Sequence, residues 1–169
     1  MGWDRMDFNT LSSIRKYGFE GFIPVYKMTL DQSIIPETKG VYMVLYNNPT
    51  PEFLTKGTGG FFKGKDPNVS IETLKQNWVN NTKVVYIGKS GGVDKSATLK
   101  SRIKQLIKFG QGKNVGHYGG RLIWQLKNSN ELILCWKQLP YDDPREIQKL
   151  LICNFDKLYG KRPYANLKD

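Results

Sequence analysis

Two stretches of the sequence decide the fold: Gly40-Val41-Tyr42-Met43-Val44-Leu45-Tyr46 and Lys83-Val84-Val85-Tyr86-Ile87-Gly88. Both are rich in β-branched and aromatic residues, and turn-forming residues follow each of them, so the pattern predicts two strands. Residues 47–82 lie between the strands and are rich in Pro and Gly, with one possible helix at 71–78. This segment is predicted to be a long insertion.

Further elements extend outward from these strands. Residues 11–16 and 98–109 have the apolar spacing of helices, and residues 122–127 and 131–139 are predicted to be two strands of an antiparallel hairpin. The order of elements predicts an α+β fold, with a small and mainly antiparallel central sheet flanked by helices. The length of 169 residues fits a single domain over 1–169, with the insertion at 47–82.

The last predicted helix has a well-defined start. Asp143 precedes Pro144, which suits the first helical position, and Glu146 has the spacing of a capping box with Asp143. Gly160 is the predicted end of this helix.

The charge of the chain is positive and unevenly distributed. The net charge is +11, and the segment from Lys83 to Lys127 has ten Lys and Arg residues against one acidic residue, Asp94. A concentrated positive charge is typical of proteins that bind a polyanion, because neutralised phosphates release counterions. Nucleic acid is the favoured partner. Membrane headgroups and a plain solvated surface are the alternatives.

The compartment is predicted to be cytoplasmic. The sequence has no early apolar segment of the signal-peptide type, and no apolar run reaches the roughly 20 residues that cross a bilayer. Cys135 and Cys153 lie in apolar stretches and are predicted to be reduced core residues. Two cysteines and one histidine do not supply a typical tetrahedral zinc site.

Five short motifs follow one another along the chain: Gly40-Val41-Tyr42, Tyr86-Ile87-Gly88, Arg102 on the next helix, His117, and Pro163-Tyr164-Ala165-Asn166. In this order they resemble the GIY-YIG nuclease superfamily, and the resemblance spans about residues 40–167. It implies a metal-dependent endonuclease that hydrolyses phosphodiester bonds, with DNA favoured over RNA as the substrate.

The resemblance implies catalytic roles for Tyr42, Tyr86, Arg102 and His117. Tyr86 would act as the general base or position the attacking water, and Tyr42 would bond the phosphate or the same water. Arg102 would hold the scissile phosphate, because its planar guanidinium suits a two-oxygen contact. His117 or Tyr118 would complete the acid–base network, and one divalent cation, Mg²⁺ or Mn²⁺, would polarise the phosphate.

Further substrate contacts are predicted for Lys89, Tyr118, Arg121 and Asn166, and Lys89 could also stabilise the Tyr86 phenolate. Each candidate has a structural alternative. The tyrosines could be ordinary strand residues, Arg102 a solvated charge and His117 a surface loop residue. Asn166 could serve only to hold the C-terminal turn.

The metal ligand of the family is a glutamate on the late helix, with Leu-Ile three and four residues further on. In this chain that register falls on Gln148, and Glu146 is the nearest carboxylate. Two residues along a helix correspond to a turn of about 200°, so these side chains face different ways. Glu146 is the candidate ligand, Gln148 takes the position if the register is shifted, and a helix cap is the alternative role of Glu146.

Three functions therefore compete. The first is the endonuclease, and the second is a nucleic-acid-binding protein of the same fold whose cleavage is impaired. The third is a basic protein-interaction module, which predicts no steep loss of nucleic-acid binding with salt. Two hypotheses also stand for the insertion, a substrate-contacting flap or a satellite packing cluster.

Overall fold

A four-stranded antiparallel sheet forms the centre of the molecule. The structure is a computed structural model that describes residues 3–92 and 96–167, so Asp94 and Lys95 lie outside the described residues. The strand order is β1-β4-β2-β3. The strands are β1 (Glu20–Pro24), β2 (Gly40–Leu45), β3 (Val84–Ser90) and β4 (Ile133–Gln138). Helices flank this sheet, so the predicted α+β fold is confirmed.

The α-helices of the described chain are α1 (Leu11–Lys16), α2 (Val25–Met28), α3 (Ile71–Asn77), α4 (Leu99–Gly110) and α5 (Pro144–Tyr159). Short 3₁₀ segments lie at Trp3–Arg5, Phe62–Gly64, Tyr118–Gln125 and Ser129–Glu131. Helix α5 begins and ends as predicted, because an Asp143 carboxylate oxygen accepts from the Arg145 N–H and Gly160 is left-handed. The predicted capping box is wrong, since no described hydrogen bond joins the Glu146 side chain to Asp143.

The two faces of the sheet are covered by different elements. Alternate residues of β2 point to opposite faces, as the period of a strand requires. Val41 and Met43 pack with α1 and α5, whereas Tyr42 and Val44 pack with α4 and the 3₁₀ segment Tyr118–Gln125. Tyr42 therefore lies on the α4 face of the sheet.

The predicted hairpin of 122–127 and 131–139 is wrong in its first half. Residues 118–125 form a 3₁₀ helix, and β4 pairs with β1 and β2 instead. The run Leu122-Ile123-Trp124 is buried throughout, so it lacks the alternation that distinguishes a half-buried strand. Strand β1 escaped prediction because a β-bulge between Gly21 and Ile23 interrupts its periodicity.

The insertion at 47–82 packs against the core, which favours the satellite-cluster hypothesis. The Trp78 ring contacts the rings of Tyr46, Phe53 and Tyr164 at centroid distances of 5.7, 6.0 and 5.4 Å. The buried Gln125 amide accepts from the Val69 N–H and donates to two insertion carbonyls. Phe61 is exposed.

The cysteine prediction is half right. Cys135 is buried in the sheet, whereas Cys153 is exposed on α5, so it is not a core residue. The apolar stretch around Cys153 belongs to an amphipathic helix, and Cys153 faces away from the core side that Leu151 and Phe155 occupy. No helix in the described part of the chain has the length and apolar character needed to span a bilayer.

Candidate functional site

Strand register brings the two motif tyrosines together. Strand β2 pairs antiparallel with β3, so that Tyr42 lies opposite Gly88 and Val44 lies opposite Tyr86. Tyr42 and Tyr86 are therefore diagonal neighbours on one face, within reach of each other. Their ring centroids are 6.1 Å apart.

Gly88 makes this arrangement possible because the Tyr42 ring crosses β3 at that position. A Cβ atom on residue 88 would lie 2.2 Å from Tyr42 Cζ and 2.5 Å from the Tyr42 hydroxyl oxygen. Any side chain at this position would therefore displace Tyr42. The glycine of Tyr86-Ile87-Gly88 is thus explained by packing against Tyr42.

His117 lies beneath the tyrosines. Its Nε2 atom is 2.8 Å from the Tyr42 hydroxyl, and its ring is buried. The alternative of a surface loop residue is wrong, because the ring is buried and Gly120 packs against it: a Cβ at position 120 would lie 2.8 Å from His117 Cε1. His117 does not line the cleft described below, and its contact with that lining is the Tyr42 hydroxyl.

Arg102 positions this network from α4. Its Nη1 group donates to Gln105 Oε1 at 2.7 Å and to the Gly116 carbonyl oxygen. Gly116 directly precedes His117, so Arg102 also holds the loop that carries the histidine. The guanidinium is half-buried beside the tyrosines, which excludes a merely solvated charge at this position.

Burial controls the protonation of the three buried groups. It raises the pKa of Tyr42 well above its usual value; the nearby Tyr86 adds to this, and the Arg102 charge opposes it. Burial also raises the pKa of Tyr86, against the Arg102 charge and a hydrogen bond with Tyr42. Burial, assisted by Arg102, lowers the pKa of His117 to about 3. All three groups are neutral at pH 7, so both tyrosine hydroxyls keep their protons.

A cleft of about 300 Å³ opens beside these residues. We call it the tyrosine cleft, and the lining residues that matter below are Tyr42, Tyr86, Lys89, Arg102, Gln105 and Gln148. It holds two phenol groups, one guanidinium, one ammonium and two amides. Such a set donates hydrogen bonds and carries positive charge, which suits a phosphate group.

Gln148 lines the tyrosine cleft, and Glu146 does not. The Gln148 Nε2 group donates to the Ile87 carbonyl oxygen at 3.0 Å across the edge of β3. Glu146 is exposed on α5, away from the lining of the cleft. Of the two candidate ligands named from the sequence, the structure therefore brings Gln148 to the cleft and leaves Glu146 outside it.

The described lining of the tyrosine cleft contains no carboxylate that could hold a divalent cation. Among residues 3–92 and 96–167, no three or more His, Cys, Asp or Glu side chains cluster in a way that could hold a metal. Mg²⁺ and Mn²⁺ prefer carboxylate oxygens, whereas the tyrosine cleft offers two amides and two cations.

Asn166 holds the C-terminal turn against β3. Its Oδ1 atom accepts from the Ile87 N–H at 2.8 Å, and its Nδ2 group donates to the Ile87 carbonyl at 2.9 Å. The Ala165 N–H donates to the Val85 carbonyl in the same way. These bonds cover the free edge of β3, which is an architectural role.

Tyr118 and Arg121 lie apart from the tyrosine cleft. The Arg121 guanidinium stacks over the Tyr118 ring at 4.2 Å, and the Tyr118 hydroxyl donates to the Asp66 carbonyl in the insertion. Of the predicted substrate contacts, the structure brings only Lys89 to the cleft. Sequence reasoning also missed Gln105, whose signal was its position three residues after Arg102 on one helix face.

Comparison of the chain with known protein families, with curated proteins and with solved structures found no match.

Proposed function

We propose that this chain binds a nucleic-acid phosphodiester in the tyrosine cleft and that its ability to cleave the bond is impaired. The observation that carries the proposal is the lining of the cleft, where neutral tyrosine hydroxyls stand beside Arg102 and Lys89. Hydroxyl donors and fixed cations recognise phosphate oxygens, and an arginine fork can contact two of them. The net charge of +11 supports a polyanionic partner.

Impaired cleavage follows from the amide at position 148. Its hydrogen bond to Ile87 requires an N–H donor, which an ionised carboxylate lacks. Gln148 therefore suits its place at the strand edge and contributes no charge to a cation. Without a metal, the neutral tyrosines can orient a phosphate but supply little help for a departing oxygen.

A second candidate is the metal-dependent endonuclease implied by the GIY-YIG resemblance. Two hydrogen bonds favour it, one between Tyr42 and His117 and one from Arg102 to the Gly116 carbonyl, which precedes the histidine. Simple binding has no need of a buried histidine behind the tyrosine, whereas acid–base chemistry uses such a network.

Binding is tested with a fluorescent DNA duplex in EDTA. We expect Arg102→Ala to weaken affinity by about tenfold or more, because a charge-assisted phosphate contact is lost. Lys104→Ala is the matched control, since Lys104 is exposed on the same helix and lies outside the cleft. Equal effects of the two variants, or binding that does not weaken with salt, would indicate a protein-interaction module instead.

Cleavage is tested on the same DNA with Mg²⁺ or Mn²⁺. We expect slow or absent cutting by the wild type and metal-dependent cutting by Gln148→Glu, which Tyr86→Phe in that background abolishes. Glu146→Gln is the control and should change nothing. Efficient cutting by the wild type, lost in Tyr86→Phe and insensitive to position 148, would establish the second candidate.

A further inference from the structure

A second concave surface runs along α5 and the C-terminal turn. It is a groove of about 880 Å³, larger than the tyrosine cleft. We call it the basic groove, and its charged lining residues are Lys89, Arg145, Lys149, Lys161, Arg162 and Asp156. Five cations thus face one acid within the described chain, an excess that attracts a polyanion.

The basic groove and the tyrosine cleft form one continuous surface. Lys89 and Gln148 line both of them, so the groove begins where the cleft ends. A nucleic-acid strand with one phosphate in the cleft must continue out of the cleft. If it continues along the groove, its neighbouring phosphates lie beside the groove cations.

The fold gathers in the groove basic residues that are not consecutive in the sequence. Between residues 145 and 162, acidic residues lie among the basic ones, and the longest basic run is the pair Lys161-Arg162. Helix α5 turns Arg145 and Lys149 towards the groove, whereas Glu146 and Lys157 lie outside its lining. Residues three or four apart share one face of a helix, so this spacing sets one line of positive charge.

The C-terminal turn supplies the other wall of the groove. Lys161 Nζ donates to the Gln76 carbonyl at 3.1 Å, and Asn166 is bonded to Ile87 as described above. Arg162 donates to the Leu167 carbonyl at 3.0 Å. These bonds give the wall a defined position, so its cations have a fixed place relative to α5.

The uncharged part of the groove indicates the form of the nucleic acid. It includes Ile152, Pro163 and Leu167, and none of the described lining residues is aromatic. Sites for single strands typically stack unpaired bases on aromatic side chains. A cationic groove without aromatic side chains suits the sugar-phosphate backbone of a duplex, whose bases stay paired.

We propose that the basic groove binds the backbone of a nucleic-acid duplex on one side of the phosphate held in the tyrosine cleft. The inference rests on the proposed function of the cleft and adds the path and the form of the bound strand. Arg145 and Lys149 contribute phosphate contacts from α5, and Lys161 contributes one from the opposite wall.

The test measures affinity for a 20-base-pair DNA duplex against salt concentration, in EDTA. For Arg145→Gln/Lys149→Gln we expect a loss of about tenfold per cation near 0.1 M salt, and a log–log salt slope shallower by about 0.9 per contact. The control is Lys27→Gln/Lys157→Gln, which removes the same charge from exposed positions outside the groove. Control and groove variants that lose equal affinity would overturn the proposal.

Arg102→Ala separates a failure of the groove from a failure of the cleft. If Arg102→Ala weakens binding and the groove variant does not, the groove proposal is wrong while the proposed function stands. If neither variant weakens binding, both are wrong. A single strand of the same sequence that binds more tightly than the duplex, through the same groove cations, also overturns the proposal.

Cys153 gives a second and independent measurement. Its thiol is exposed in the groove, whereas Cys135 is buried and burial raises the pKa of its thiol. Alkylation of the native protein should therefore modify Cys153 alone. We expect saturating duplex to slow this alkylation at least fivefold in the wild type. An unchanged rate at saturation would show that the groove stays empty.

Discussion

The tyrosine cleft is centred on two tyrosines buried in the sheet, whereas the basic groove is lined mainly by cations at the ends of long side chains. In the cleft, the strand register and the close packing on Gly88 fix the position of the Tyr42 ring. The His117 ring forms a hydrogen bond with the Tyr42 hydroxyl. In the groove, Arg145 and Lys149 are exposed and form no ion pair with a described residue. Changes in the cleft should therefore alter stability, and changes in the groove should alter binding alone.

The largest expected effect is the dependence of stability on pH through His117. The pKa of His117 is about 3 in the folded chain and about 6.5 in the unfolded chain, so acid protonates the unfolded chain first. This contribution is complete above pH 6.5 and is lost as pH falls towards 3. The loss of stability amounts to about 1.4 kcal/mol for each pH unit below 6.5, so about 2 kcal/mol is lost at pH 5.

Urea unfolding at several pH values checks this dependence. The wild type should lose about 2 kcal/mol more than His117→Gln between pH 7.5 and 5, because glutamine does not titrate. The chain has one histidine, so its NMR signal is unambiguous and should show no titration from pH 8 to 5. A titration midpoint near pH 6.5 for the His117 signal would show that water reaches the ring and that the packing behind Tyr42 opens.

The next effect is expected at Gly88. Gly88→Ala places a methyl group against the buried Tyr42 hydroxyl, and overpacking of this kind costs about 1–3 kcal/mol. Gly119→Ala is the matched control, because no atom lies within 4 Å of a Cβ at that position. Thermal and urea unfolding measure both variants. Equal stabilities would mean that Tyr42 moves aside easily.

The difference between the tyrosine cleft and the basic groove also determines which features could be predicted from the sequence. The tyrosine pair and Arg102 were predicted from the ordered motifs that resemble the GIY-YIG superfamily, and periodicity placed these motifs on two strands and one amphipathic helix. The burial of His117 was not, because it depends on Tyr42, 75 positions away in the sequence. Nor was the 3₁₀ segment at 118–125, where a continuous apolar run has no period to read.

The basic groove was beyond sequence reasoning for a different physical reason. Charge density along the chain pointed to residues 83–127, where like charges are adjacent. The cations of the groove come from β3, α5 and the C-terminal turn. Only the packing of these elements brings the positive charges onto one surface. The same holds for Gln148, whose role depends on the Ile87 carbonyl at the strand edge.

The smallest expected effect on stability is that of Lys149→Gln. Lys149 is exposed and forms no ion pair with a described residue, so it should contribute less than about 0.5 kcal/mol to the free energy of unfolding. The same variant should weaken duplex binding by about tenfold near 0.1 M salt, because one phosphate contact is lost. Urea unfolding and the binding titration, run on one protein preparation, measure both quantities. A loss of stability comparable to that of Gly88→Ala would show that Lys149 supports the fold, which would contradict the expectation that changes in the groove alter binding alone.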